Sequence, residues 1–109
     1  MAEDLAPAEP FVLTLPREID LTNADSVCAQ LCDAIAAVGS VVIADLTSTR
    51  FCDSCGFRML LVAHDRAVAE GRQLRIVVEP GAPVSRALAL IGFDQVLRVY
   101  PSLAGALTP

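Results

Sequence analysis

The sequence holds 109 residues, which is the size of one ordinary domain. Hydrophobic residues make up 54% of it and aromatic residues only 5%, so an aliphatic core can form without disulfides or structural metal. The net charge of -5 and the lack of clustered arginines exclude nucleic acid and anionic membranes as favoured partners, because both bind through clustered positive charge.

The sequence carries neither a recognisable membrane span nor a secretion signal. No segment approaches the ~18 consecutive apolar residues that cross a bilayer. Residues 1–4 include two acids and lead towards a proline, unlike the basic and then apolar start of a signal peptide. We therefore expect a cytoplasmic protein with reduced thiols. Residues 1–10 have no periodicity and predict a loose arm or a weak edge strand.

The first half of the chain predicts a strand, a helix and a second strand. Residues 11–15 form a short β-type run that Pro16 closes. Residues 22–25 resemble a helix start, with a cap at Thr22 and an acid three residues later. Helical spacing then continues towards Gly39 through Val27, Leu31, Ala34, Ile35 and Val38. The apolar run at 41–46 is typical of a strand that is covered on both faces.

The second half continues the alternation. A polar turn at 47–50 leads to Asp53-Ser54-Cys55-Gly56, which we call the 53–56 turn. An amphipathic helix follows and ends near Gly71, with an apolar side made by Phe57, Leu60, Leu61, His64, Ala67 and Val68. The later segments predict a strand at 74–78, a helix at 84–91, a strand at 95–100 and a short helix at 101–107 that begins with Pro101.

This alternation of strands and helices predicts one α/β domain over residues 11–107. The spacings suit right-handed crossovers, which join parallel strands. We therefore expect a single, mostly parallel mixed sheet of four to five strands with about four helices. No internal repeat and no linker interrupts the domain.

Several segments of residues 41–107 follow one another in a recognisable order. A buried strand runs into the 53–56 turn and an apolar helix, and residues 70–77 place a glycine before the next strand. Residues 90–94 (Leu-Ile-Gly-Phe-Asp) and the tail at 96–102 complete the set. Together these segments resemble the STAS domain of bacterial anti-sigma factor antagonists, and the likeness covers about residues 11–107. Residues 18–20 resemble that family's Gly-Glu-Leu-Asp turn, with Arg17 in place of the glycine.

The resemblance implies a STAS fold and a part in sigma factor regulation. In that family, the serine that matches Ser54 is phosphorylated by an anti-sigma factor with a kinase fold, which itself binds ATP and Mg²⁺. The unphosphorylated antagonist captures the anti-sigma factor, and phosphorylation ends the capture. Asp20 and Asp53 would contact the partner or support the phosphoacceptor. The chain would be a binder and a substrate rather than an enzyme, without a cofactor, and a monomer or weak dimer.

The residues around Ser54 suit such a switch. At the predicted start of a helix, the Ser54 hydroxyl is exposed and lies near backbone N–H groups that can bind a phosphate. Gly56 would let a partner's backbone approach closely. Phe57 is expected in the core, whereas Arg58 and Met59 are expected to face the partner. The candidate partner contacts are therefore Asp20, Thr22, Asn23, Asp53, Cys55, Gly56, Arg58 and Met59.

The cysteines leave two other interpretations open. Cys52 and Cys55 form a C-x-x-C at a strand-to-helix junction, as in thioredoxin-like thiol–disulfide proteins. Asp53 would oppose formation of the thiolate that such chemistry needs. Together with Cys28 and Cys32 they could also be taken for a four-thiolate zinc site. Packing within a helix is the simpler explanation of Cys28 and Cys32, because their spacing differs from that of the cysteine turns in most zinc sites.

A constitutive STAS adaptor is the main functional alternative. Such a protein, in a transport ATPase complex or a stress-signalling scaffold, would bind its partner without phosphoryl transfer, and Arg17 leaves that option open. Ser54 would then be a plain helix N-cap. His64 is the only histidine, and without a nearby nucleophile or second base it makes no catalytic constellation. We expect it to be partly buried and hydrogen-bonded.

Overall fold

The computed structural model describes residues 10–37 and 41–108, in which strands and helices alternate. The four helices and the α/β order agree with the prediction. The elements are β1 (Phe11–Thr14), β2 (Glu18–Ile19), α1 (Ala24–Ala37), β3 (Val41–Asp45), β4 (Phe51–Cys52), α2 (Ser54–Ala69), β5 (Gln73–Val77), α3 (Pro83–Leu90), a 3-10 turn (Phe93–Gln95), β6 (Arg98–Tyr100) and α4 (Leu103–Ala106).

The four-stranded main sheet agrees with the prediction, but a second sheet of two strands stands apart from it, because β2 and β4 pair only with each other. Every pairing among the described residues is parallel, so the sheets are not mixed as expected. The main sheet has four strands in the order β1-β3-β5-β6. The smaller sheet pairs β2 with β4, with Ile19 opposite Cys52. Because parallel strands end at the same edge, the residues that follow β2 and β4 lie side by side. These residues are Asp20 and Asp53, so the small sheet brings the two predicted acidic positions together.

The main sheet is covered on both faces, as the apolar run of β3 predicts. Val42 and Ala44 pack into the cluster that contains α1 and α2, whereas Ile43, on the opposite face, packs with Val77 and Ala106. The two long helices also pack against each other. Their buried stripes include Val27, Leu31, Ala34 and Ile35 on α1, and Phe57, Leu60, Ala63 and Ala67 on α2.

A buried arginine fastens the C-terminal helix to the sheet. Arg75, in the middle of β5, donates through Nη1 to the carbonyls of Ala106 (2.7 Å) and Thr108 (2.6 Å). Its Nε donates to Gln73 Oε1 at 3.1 Å, and its guanidinium lies 5.6 Å from the centre of the Tyr100 ring. These partners compensate the burial of the charge, which would otherwise be costly.

Some element ends differ from the sequence prediction. Helix α1 begins at Ala24, and the hydroxyl of Thr22 binds Asp20 instead of capping the helix. Residues 93–95 take a 3-10 turn, so β6 begins only at Arg98. Helix α4 begins at Leu103 and not at Pro101, because the Ser102 hydroxyl caps it by accepting the N–H of Gly105. Residues 1–9 of the predicted arm at 1–10 and the predicted helix end at 38–39 lie outside the described residues.

Within the described residues, no helix is both long and apolar enough to cross a membrane.

Candidate functional site

The 53–56 turn joins β4 to α2, and Asp53 is the cap of that helix. Asp53 has an extended backbone (φ −89°, ψ −174°), and its Oδ1 accepts the N–H groups of Cys55 at 2.9 Å and Gly56 at 3.1 Å. Its own N–H donates to the carbonyl of Ile19 at 3.0 Å, which ties the turn to β2. The cap that the sequence suggested for Ser54 therefore belongs to Asp53, and Ser54 is the first helical residue.

Ser54 is exposed on the surface beside an apolar groove. The groove has a volume of about 490 Å³ and lies between the start of α2 and the end of α3. Its lining residues are Ser54, Phe57, Arg58, Leu61, Ile91 and Phe93. Fewer backbone N–H groups are free to bind a phosphate than the sequence predicts. Asp53 already accepts two of the N–H groups of the first helical turn.

Asp20 lies in a loop that its own side chains stabilise through hydrogen bonds. Asp20 Oδ1 accepts the backbone N–H of Thr22 at 2.9 Å and the Thr22 hydroxyl at 2.5 Å. These hydrogen bonds lower the pKa of the Asp20 carboxyl below its ordinary value. Asn23 accepts the Asp20 N–H at 2.9 Å and donates to the carbonyl of Glu18 at 2.8 Å. The loop therefore presents an ionised carboxylate next to the 53–56 turn.

Gly56 serves the packing inside this chain, which corrects its expected part as a contact for a partner. The residue is buried, and a Cβ at this position would lie 2.4 Å from Cys52 Sγ and 2.8 Å from Ile19 Cγ2. Only glycine therefore lets the start of α2 sit this close to the β2–β4 sheet.

Met59 is also buried, whereas Arg58 is exposed as predicted. Met59 is 4% exposed, and its backbone carbonyl is 4.0 Å from the thiol of Cys28 on α1. The expectation that Met59 faces a partner is thus wrong, because α1 covers this side of α2. The burial of Met59 could have been predicted, because residues four apart share a helix face and Met59 lies in one row with the apolar Ala63 and Ala67.

Three exposed apolar side chains near the turn were missed by the sequence reasoning. Leu21 is 77%, Val62 50% and Ile91 49% exposed. Leu21 and Val62 line a second groove of about 250 Å³ between α1 and α2, which also includes Cys55 and Arg58. Ile91 lines the first groove, so Arg58 lies between two apolar surfaces. Leu21 precedes α1, Ile91 follows α3 and Val62 lies off the buried stripe of α2, and these positions were the available signal.

Cys52 and Cys28 lack the low thiol pKa that disulfide exchange needs. Burial and then the charge of Asp53 raise the pKa of Cys52 to about 12. Burial and the neighbouring Cys32 raise the pKa of Cys28 to about 11. Exchange enzymes instead lower the pKa of the attacking thiol. All four cysteines are unpaired thiols. Within residues 10–37 and 41–108, no three metal-binding side chains converge on a possible metal position.

His64 is half-buried, as predicted, but its Nδ1 differs from the expectation. That atom is buried and has no hydrogen-bond partner in the described part of the chain.

Comparisons with known proteins agree on one family. The STAS domain family matches residues 4–106. RsfB, an anti-sigma-F factor antagonist of Mycobacterium tuberculosis, is 28% identical over 98 residues, which cover 89% of this chain and 78% of RsfB. The crystal structure of an anti-sigma factor antagonist from Mycobacterium paratuberculosis matches with a TM-score of 0.77 and 25% identity, covering 88% of this chain and 80% of that one.

The fold also matches a more distant structure. The anti-sigma factor antagonist SpoIIAA, in its unphosphorylated form, aligns with a TM-score of 0.71 at 18% identity, covering 90% of this chain and 84% of SpoIIAA. At this identity the similarity shows the fold alone, and it agrees with the predicted sheet and helices.

Proposed function

The chain belongs to the STAS domain family, and we propose that it is an anti-sigma factor antagonist that phosphorylation of Ser54 switches off. The observation that carries the proposal is the exposed Ser54 at the first position of α2, beside an apolar groove and one residue after a fixed cap. The unphosphorylated chain captures an anti-sigma factor with a kinase fold in the cytoplasm and so frees the sigma factor. The chain is a binder and a substrate, not an enzyme.

The proposed capture surface surrounds the 53–56 turn. Two apolar grooves flank Arg58, with Leu21 and Val62 exposed on one side and Ile91 on the other. Large exposed apolar side chains grouped in this way are typical of protein contact sites. The polar contacts around them are Asp20, Thr22, Asn23, Asp53 and Cys55.

A phosphate on Ser54 would oppose that capture through its charge. Phosphorylation adds about −1.5 to −2 charges at neutral pH. The new charge stands next to Asp53 and near the ionised Asp20, and the closed interface would have to desolvate it. Burying an unpaired charge costs roughly several kcal/mol. The attraction between the phosphate and the helix N-terminus contributes only ~0.3–1 kcal/mol. Release of the partner is therefore the expected result.

The transfer needs no base and no metal from this chain. The partner kinase supplies ATP, Mg²⁺ and the base that takes the serine proton, while the γ-phosphoryl group moves to Ser54 Oγ and ADP leaves. The chain contributes an accessible hydroxyl on a rigid helix start.

Phosphate mapping tests this proposal. The chain is incubated with the purified kinase-type anti-sigma factor of its own organism and Mg-ATP, and phosphopeptides are located by mass spectrometry. We expect one phosphate on Ser54 in the unchanged protein and in the control Ser26→Ala, an exposed serine on α1, and none in Ser54→Ala. Equal phosphorylation of Ser54→Ala would refute the assignment. A complex that persists in the presence of Mg-ATP while the chain carries no phosphate would instead identify a constitutive STAS adaptor.

A further inference from the structure

The start of α2 offers few free hydrogen-bond donors to a phosphate on Ser54. The carboxylate of Asp53 already accepts the N–H groups of Cys55 and Gly56, at 2.9 and 3.1 Å. These are the donors that a helix start usually offers to an anion. A phosphate at this position therefore lies beside a carboxylate that competes for the same donors, and it needs positive charge from elsewhere.

Arg58 is placed to provide that charge. It lies four residues after Ser54 on α2, and side chains at this spacing are neighbours on a helix surface, with Cβ atoms about 5–6 Å apart. Both residues are exposed and line the same groove. The guanidinium group binds phosphate oxygens through two parallel hydrogen bonds.

Arg58 is also available for this contact. Among the described residues, the ion pairs join Glu70 to Arg66 at 3.8 Å and to Arg72 at 3.9 Å, and neither uses Arg58. Arg58 is exposed and lines both apolar grooves, including the one that Ser54 lines.

We propose that Arg58 pairs with the phosphate of phosphorylated Ser54 across one turn of α2. The proposal rests on Ser54 being the phosphorylated residue and adds how the modified form is held. The pair withdraws the cation from the surface between the two grooves. Phosphorylation thus changes the capture surface twice, by adding a dianion and by redirecting Arg58.

The test is a titration of phosphoserine placed at position 54 during translation, which needs no kinase. Phosphorus-31 NMR follows the second ionisation of the phosphate, whose ordinary pKa is about 6. A paired guanidinium favours the dianion, so Arg58→Ala should raise that pKa by about 0.3. Arg66→Ala on the same helix, whose arginine pairs with Glu70, is the matched control and should leave the pKa unchanged.

Salt gives a second readout, because an exposed ion pair is screened. The difference between the unchanged protein and Arg58→Ala should disappear at about 1 M salt, where the Debye length is about 3 Å. A difference below about 0.1 at low salt, or an equal rise in Arg66→Ala, would overturn the pairing. Because the phosphate is installed without the partner, that result leaves kinase phosphorylation of Ser54 as a separate question with its own measurement.

Discussion

Two adjacent polar residues of the 53–56 turn have separate tasks. The Asp53 side chain is fixed by two hydrogen bonds to the start of α2, whereas the Ser54 side chain is exposed. The rigid residue therefore holds the helix start in place and leaves its neighbour accessible. This division predicts that the two side chains can be changed with different consequences for stability.

Replacement of Asp53 should destabilise the fold. Asp53→Ala removes the cap of α2 and should lower the free energy of unfolding by about 1 kcal/mol, whereas Asp53→Asn keeps an equivalent acceptor and should lose less. Ser54→Ala is the control and should change stability by less than about 0.5 kcal/mol. Urea unfolding measures all three variants. Equal stability of Asp53→Ala and the unchanged protein would show that the cap does not stabilise the fold.

Gly56 should tolerate no side chain. In Gly56→Ala the new Cβ would overlap Cys52 Sγ and Ile19 Cγ2, and such overpacking typically costs about 1–3 kcal/mol. Adding Cys52→Ala removes the nearer of the two atoms, so the double variant should recover part of the loss. Gly105→Ala, whose nearest neighbour would be Ser102 Oγ at 3.3 Å, serves as a control of small effect. Additive losses in the double variant would contradict the proposed contact.

The Cys52 thiol should make the fold sensitive to alkaline pH. Folding raises its pKa from 9.0 to about 12, so the folded state holds the proton more tightly than the unfolded chain. Its contribution to stability is complete below pH 9 and is lost as the pH rises towards 12. Under reducing conditions, Cys52→Ser should therefore lose less stability between about pH 8 and about pH 10.5 than the unchanged protein. Parallel losses in the two proteins would contradict this.

At the scale of whole elements, α4 depends on a side chain from the middle of the sheet. Arg75 binds two carbonyls at the end of this four-residue helix, which is too short to be stable alone. The register places Arg98 of β6 opposite Arg75. Arg98 is exposed, so the two arginines form a natural pair of test and control positions.

Loss of the Arg75 guanidinium should detach α4. Arg75→Met should lower the free energy of unfolding by about 2 kcal/mol, because hydrogen bonds from a charged donor are lost. Amide hydrogen exchange within Leu103–Ala106 should accelerate more than exchange within α2, since only the former helix is held by this side chain. Arg98→Met should leave both quantities nearly unchanged. Unchanged exchange in α4 of Arg75→Met would show that apolar packing alone holds it.

The sequence predicts the long elements well because each has either a helical period or a continuous apolar run. The stripe of Val27, Leu31 and Ile35 gives α1, and the apolar run at 41–46 gives β3. β2 and β4 contain two residues each, which is too few for a period to show. Their pairing is a tertiary contact between Ile19 and Cys52, and no local pattern encodes it.

The motif predicts which residues form the candidate site but not how they are oriented. The motif locates Ser54 and both acidic residues, yet it does not say which sides of α2 another helix or sheet will cover. Gly56 faces the β2–β4 sheet and Met59 faces α1, so both are buried. The exposed apolar Ile91 comes from α3, distant in sequence, and only the fold brings it beside Ser54.

Over the whole molecule, the two parallel sheets place the chemistry at one end of the domain. The small sheet aligns the ends of β2 and β4, so that the Asp20 loop and the 53–56 turn are adjacent. Apolar grooves on both sides of Arg58 adjoin these polar residues. On the proposed function, a phosphate on Ser54 would stand at the centre of these polar and apolar residues.

Isothermal titration calorimetry of the kinase-type anti-sigma factor with this chain tests the central claim most directly. The unphosphorylated protein and the protein with phosphoserine at position 54 are compared under the same conditions, with Ser54→Ala as the control that cannot carry the phosphate. We predict that phosphorylation weakens binding more than tenfold, or about 1.4 kcal/mol, and that Ser54→Ala binds like the unphosphorylated protein. Equal dissociation constants for the phosphorylated and unphosphorylated proteins would contradict the account.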